Sequence, residues 1–401
     1  METDDQEHLI DSPQPAKTSK SWLVFLIIGI LGLIGGVACL LVVLLKPEVI
    51  LADLNFPDIP SNTATTKIYS DLTGLEIANE ADRTAPVYCI QTPNGVDGAR
   101  PQVGLTEAGV IFEAIAEAGI TRFAAIYQKP ASAVIGPIRS LRLYYLQWDT
   151  PFDCIIVHAG GADDAIAAVR SGGYKDLTEN YAYMYRGGNN RLWNNLFTTS
   201  QHLTQVSADW GYGSSNVNGF NRMTPEESAK SRVDASAASK LVITEPAVGD
   251  TSAMNFASTN ISLRFGGIAT FNVNYQYNQQ TNSYDRWYET GNSHEVYQCP
   301  AEDLGEVTPE SVCSLVQLSP NVVVAMMVSE QKSWDGYHED ITTVGSGEVY
   351  VFQNGAVTHG TWNKNSVGEQ IKFFDDAGTE IKLAPGQTFV EAVPTYGGVE
   401  Y

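Results

Sequence analysis

With 401 residues and a formal net charge of −22, the chain is long enough for about two domains and too acidic for a nucleic-acid partner, whose phosphates it would repel. The same charge opposes contact with anionic lipid head groups and favours a soluble, monomeric body. Residues 1–45 hold five acids and two lysines, so residues 46–401 keep −19 of the total −22.

The first predicted element is an anchor. Trp22 to Leu45 is a run of 24 residues without a charge. As a helix it would reach roughly 36 Å, enough to cross a hydrocarbon core of about 30 Å with some tilt. Its length distinguishes it from a cleaved signal peptide. Gly36-Val37-Ala38-Cys39 loosely resembles a lipidation site, but a lipoprotein would continue into a polar linker, and the six residues after Cys39 are apolar. Lys17 and Lys20 precede the run and Lys46 follows it. This bias predicts a single-pass membrane protein with residues 1–21 as a cytoplasmic tail and the bulk outside the cytoplasm.

Residues 46–80, with Pro47, Pro57 and Pro60, read as an extracytoplasmic stalk. Residues 81–245 then read as an α/β domain. Its predicted strands are Val87–Ile90, Phe123–Tyr127 and Cys154–His158. Its predicted helices are Thr106–Ala118, ended by Gly119, then Ser140–Trp148 and Ala162–Arg170. Thr224-Pro225-Glu226-Glu227 is a capping box opening a further helix. Residues 246–401 read as a β-rich, mainly antiparallel domain. Ile261–Phe265, Phe271–Tyr277 and Tyr284–Tyr288 alternate apolar and polar residues, as does Val349–Thr361 around an Asn354-Gly355 turn; Asn321–Val328 is a continuous apolar strand.

Outside the anchor there are four cysteines. Cys299 and Cys313 enclose a polar 15-residue segment, the scale of a disulfide worth about 3 kcal/mol. Cys89 and Cys154 sit in apolar strands and read as buried thiols. The cysteine and histidine spacing implies no metal site, and no motif calls for a cofactor.

Chemistry concentrates between residues 100 and 195. Arg100, Gln102 and Gly104 precede one predicted helix; Arg139, Ser140 and Arg142 precede the next, with Ser140 as its cap. Arginines near free backbone N–H groups could hold a carboxylate or phosphate. The alternative is internal pairing with Glu113, Glu117 or Asp153. His158, before Gly160, follows a strand end, where ligands of open α/β sheets bind. His158 and Glu113 are candidate acids or bases, although a hydrogen-bonded structural histidine is the commoner role. Asp163 and Asp164 are adjacent on a helix and read as charge bias at its start.

The run RPQVGLTEAGVIFEAIAEAGITRFAAIYQ, followed by IGPIRSLRLYYLQW and DCIIVHAGG, resembles the bacterial DUF3048 family of unknown function, as do EVYVFQNGAVTHGTWNK and IKFFDDAGTEIKLAPGQTFVEAVP. The resemblance covers roughly residues 86–395. It implies an envelope protein with an α/β and a β-rich domain, and no assigned activity. It marks Arg100, Gln102, Gly104, Glu113, Arg122, Arg139, Ser140, Arg142, His158, Gly160 and Arg186. Family members typically begin with a lipobox cysteine, which a spanning helix replaces here. They also read Pro-His-Asn where this chain has Trp193-Asn194-Asn195 after Arg191, and Asn194 offers no acid or base.

The leading expectation is an envelope protein that binds an anionic glycan or lipid head group through these arginines, including Arg191. One alternative is a phosphotransferase or hydrolase using His158 or Glu113. Another is a structural protein that docks a partner through aromatics such as Trp287, Trp334 and Trp362.

Overall fold

The computed structural model describes residues 67–187, 193–233, 256–257, 260–302 and 304–401. The predicted anchor at 22–45, residues 46–66 of the predicted stalk, and Arg191 lie outside them. Among the described residues no helix is long and apolar enough to cross a membrane. The compact unit begins at Lys67. The end of the predicted stalk therefore belongs to the folded body, where Ile68–Tyr69 pairs with Glu76–Ile77.

In chain order, the first half supplies β1 (Val87–Pro93), β2 (Val110–Glu117) and β3 (Ile120–Gln128), then α1 (Leu143–Asp149), β4 (Ile155–Val157), α2 (Asp163–Ser171), β5 (Lys175–Leu177) and α3 (Ser200–Trp210). The second half supplies β6 (Phe256–Ala257), β7 (Asn260–Arg264), β8 (Val273–Asn278), β9 (Ser283–Tyr288) and β10 (Val322–Val328). It continues with β11 (Glu330–Lys332), β12 (Glu339–Ile341), β13 (Gly345–Gln353), β14 (Ala356–Lys364), β15 (Lys372–Asp375), β16 (Thr388–Pro394) and β17 (Gly398–Glu400).

The α/β half and the β-rich half share one 11-stranded sheet, ordered β6-β14-β13-β10-β16-β2-β3-β1-β4-β5, with β15 beside β14. The seam between them is the parallel pair β2–β16, in which Glu391 stands beside Glu113. The expected parallel pairing of the first half is β1 with β4 and β4 with β5. Strands β9-β8-β7-β17 form a separate antiparallel sheet, which packs its apolar side chains against Val323, Ala325 and Phe352 of the large one.

Three expectations are corrected. Thr106–Ala118 is not a helix; it contains β2, the seam strand. Both of its faces are covered, so its apolar residues run on instead of alternating, and a chance spacing imitates a helix. Gly119 is the second residue of a tight β2–β3 turn, with φ of 51° at Ala118 and 78° at Gly119, the primed geometry that suits a hairpin. Ser140 does not cap α1; the N-cap position is Arg142, in extended conformation and without a side-chain cap bond. Cys89 and Cys154 form a disulfide, because β1 and β4 lie side by side and bring their Cα atoms to 5.8 Å. The Cys299–Cys313 disulfide is present as expected. Thr224 caps its helix with the reciprocal Glu227 bond.

Candidate functional site

The predicted residues separate into several places. The first is a buried cluster at the end of the β2–β3 hairpin. Glu117 closes β2 and accepts from Arg122 Nη2 at 2.7 Å and from Arg142 Nη2 at 2.5 Å. Arg122 Nη1 also donates to the Ser140 carbonyl, and Arg142 Nη1 to the Leu141 carbonyl. Both arginines are 4% exposed, and the Nε of each is buried without a partner. Two guanidinium groups thus share one carboxylate. Burial pushes Glu117 up and the two arginines pull it down; the arginines prevail, and it sits below the usual carboxylate range.

Arg142 opens from this cluster onto a groove of about 490 Å³ between α1, the start of α2 and the β11–β12 hairpin. Its other walls include Gln147, Asp163, Asp164, Trp334 and Asp340. Trp334, at the hairpin tip, is 87% exposed. Gln147 uses its carbonyl oxygen to accept from Thr343. A volume of this size is within the range of small-ligand sites.

The second place is a fully buried network at the seam. Arg286 of β9 donates to Glu113 and to His294 Nδ1, and its Nε lies 3.7 Å from Glu391. Glu113 also accepts from Thr121 at 2.5 Å and Asn94 at 3.1 Å. Since an arginine only donates, His294 Nδ1 accepts. Its Nε2 therefore carries the proton and donates to Gln102 Oε1 at 3.0 Å. Burial, then Arg286 and Arg100, hold His294 well below the ordinary histidine range. Burial and the neighbouring Glu113 push Glu391 well above the usual carboxyl range, so it keeps its proton. Arg100 borders the network, donating from Nε to the Asn94 carbonyl and Oδ1 at 2.9 Å each, with its guanidinium 3.7 Å over the Tyr288 ring.

The remaining predicted residues lie apart from both. Gly104 (φ 78°) sits where a Cβ would come within 3.2 Å of the Val134 carbonyl. His158 is buried with both ring nitrogens engaged, Nδ1 on the Gly160 carbonyl at 2.7 Å and Nε2 on Asp176 at 2.8 Å. Arg139 donates to the Trp193 carbonyl at 3.3 Å and, among the described residues, has no ion pair. Asn194 donates to the Asp97 carbonyl. Arg186 is held by Glu179, Asn195 and Tyr181. Trp362 is core, donating to the Met327 carbonyl, and only Trp334 of the three named tryptophans is fully presented to solvent.

Sequence reasoning missed Arg286, His294, Glu391 and Gln147. Arg286 meets Glu113 across 173 positions, and nothing local in the sequence signals that meeting.

Two family descriptions match, and together they span most of the chain: the N-terminal domain of a protein of unknown function, DUF3048, over residues 72–213, and the DUF3048 C-terminal domain over residues 261–390. The chain belongs to the DUF3048 family. A relative from Bacillus subtilis (strain 168), named "Putative lipoprotein YerB", is 26% identical over 328 residues, covering 82% of this chain and 87% of the relative. The crystal structure of YerB protein from Bacillus subtilis superposes with a TM-score of 0.63 at 22% identity, over 84% of this chain and all of that one. That likeness shows the fold. The DUF3048 description carries no activity.

Proposed function

We propose that this chain is an extracytoplasmic, membrane-associated protein of the cell envelope that binds a carboxylate- or phosphate-bearing envelope component in the groove at Arg142. The envelope location draws on the name of the Bacillus subtilis relative and on two disulfides, which persist in oxidising compartments. Residues 22–45 serve as a spanning anchor in this reading, with the N-terminus cytoplasmic.

One observation carries the binding reading. Arg122 and Arg142 share a single carboxylate, leaving a positive charge of one at the groove's floor with an unpartnered Arg142 Nε. A buried cation left short of counter-charge favours an anionic partner. The enzyme reading gains nothing from Glu113 or His158, which are buried and fully engaged in bonds.

The test is a thermal-shift screen of the full chain in detergent against carboxylated and phosphorylated envelope fragments. Binding to the native state raises apparent stability. A shift present in the wild type and lost in Arg142→Lys supports the reading. The same shift in Arg142→Lys, or no shift with any fragment, overturns it.

A further inference from the structure

The groove's charges are layered. Positive charge lies at the buried side, where Arg142 is backed by Arg122 and the one other buried charge of the lining, Glu339, is neutralised by Lys332. The rim is acidic: Asp163 and Asp164 stand at the start of α2, and Asp335 and Asp340 on the β11–β12 hairpin. Asp335 is occupied, accepting from His338 Nδ1 at 2.6 Å and from the backbone of its own turn. Asp163 and Asp340 are exposed, and among the described residues neither has an ion-pair partner. A ligand that is only anionic would satisfy Arg142 and meet repulsion at the rim. One that is only cationic would do the reverse at the floor.

Gln147 also lines the groove. Its carbonyl oxygen is used by Thr343, and its amide nitrogen has no partner among the described residues. Gln147 is therefore left with a donor at the groove wall. Trp334 forms a wall whose ring face attracts a cation within about 6 Å.

We propose that the groove takes a peptide-like zwitterion, a short peptide with a free carboxylate and a free ammonium group. The carboxylate meets Arg142. The ammonium meets Asp163 and Asp340 beside the face of Trp334. The peptide carbonyl between them accepts from Gln147 Nε2. Two features beyond the acidic rim support this: Arg142, 96% buried yet with Nε unpartnered, and the single net positive charge of the Arg122–Arg142–Glu117 cluster, which one carboxylate matches. The inference rests on the binding reading above and names its ligand class.

Isothermal titration calorimetry on the full chain in detergent tests it with three probes: alanyl-alanine, its N-acetyl form and its C-terminal amide. Each blocked form loses one charge-assisted contact. The free dipeptide is expected to bind at least about tenfold more tightly than either. The double variant Asp163→Asn, Asp340→Asn changes only exposed side chains and should erase the preference over the acetylated form. Arg142→Lys should shrink the preference over the amide. Acetylated peptide binding as tightly as free peptide overturns the zwitterion and leaves the Arg142 reading standing. Amide binding as tightly as free peptide overturns the zwitterion, because the carboxylate then makes no contact with Arg142. Absence of heat with all three probes overturns the zwitterion, while the Arg142-dependent thermal shift still judges the broader reading.

Discussion

Arg286 is a guanidinium withdrawn from water in a protein whose charge is overwhelmingly on its surface. Burial disfavours its charge, but the Glu113 carboxylate holds it well above the ordinary arginine range. Removing one member of such a set leaves the others buried and uncompensated, which typically costs about 3–5 kcal/mol. Arg286→Met is therefore expected to lower the unfolding free energy by about that much in urea titration. Adding Glu113→Gln to it should cost less than the two single losses combined, since the carboxylate no longer lacks a counter-charge. A loss under about 1 kcal/mol for Arg286→Met would mean that the network does not hold the seam. At this scale the sequence was partly legible. Glu117 was among the possible internal partners of the arginines, and the structure pairs it with Arg142 and also with Arg122 across the hairpin that the sequence had hidden as a helix. The Arg286 network was not, because its charges come from strands far apart in sequence and only the sheet order brings them together.

At the scale of elements, β10 was readable as an unbroken apolar run, and β7, β8, β9, β13 and β14 because one face of each is wetter than the other. Their apolar residues alternate, and Asn354-Gly355 marks its turn by chemistry. The seam strand β2 was not readable, since a strand covered on both faces loses the period that identifies it. The decisive signal lay in the turn: Ala118-Gly119 joins β2 to β3 with both residues at positive φ. This can be tested against a second glycine. An alanine in the left-handed region costs about 1–2 kcal/mol. At Gly160 (φ 68°) an added Cβ meets nothing within 4 Å, whereas at Gly119 (φ 78°) it meets Ile268 Cγ1 and N at 3.2 Å. Gly160→Ala should show the conformational cost alone, and Gly119→Ala should exceed it. Urea midpoints of the two variants give the comparison. Equal losses would mean that the segment around Ile268 yields without cost.

For the whole molecule, the consequence of joining two halves across buried titratable groups is a dependence of stability on pH. His294 titrates near 6.5 when unfolded and is held well below that when folded. Below about pH 6.5 the unfolded chain binds one more proton than the folded one, so stability falls with falling pH by about 1.4 kcal/mol per unit. Glu117 acts in the same direction at lower pH. Its folded value lies below the ordinary 4.5, so its contribution is present above that value and lost as pH falls through the folded one. Glu391 acts oppositely: its folded value lies well above 4.5, so the folded chain holds the extra proton and stability declines as pH rises above the unfolded value. Between pH 6.5 and 5 the contributions of His294 and Glu391 therefore oppose each other, and their separation needs a variant. His294→Gln removes the titrating imidazole while keeping an acceptor for Arg286. Urea unfolding of the full chain between pH 8 and 5 should show His294→Gln gaining stability relative to the wild type as the pH drops below about 6.5, with a difference that grows by about 1.4 kcal/mol per unit. A difference that stays constant over that range would mean that His294 takes up its proton without disturbing Arg286, and that the seam tolerates two cations side by side.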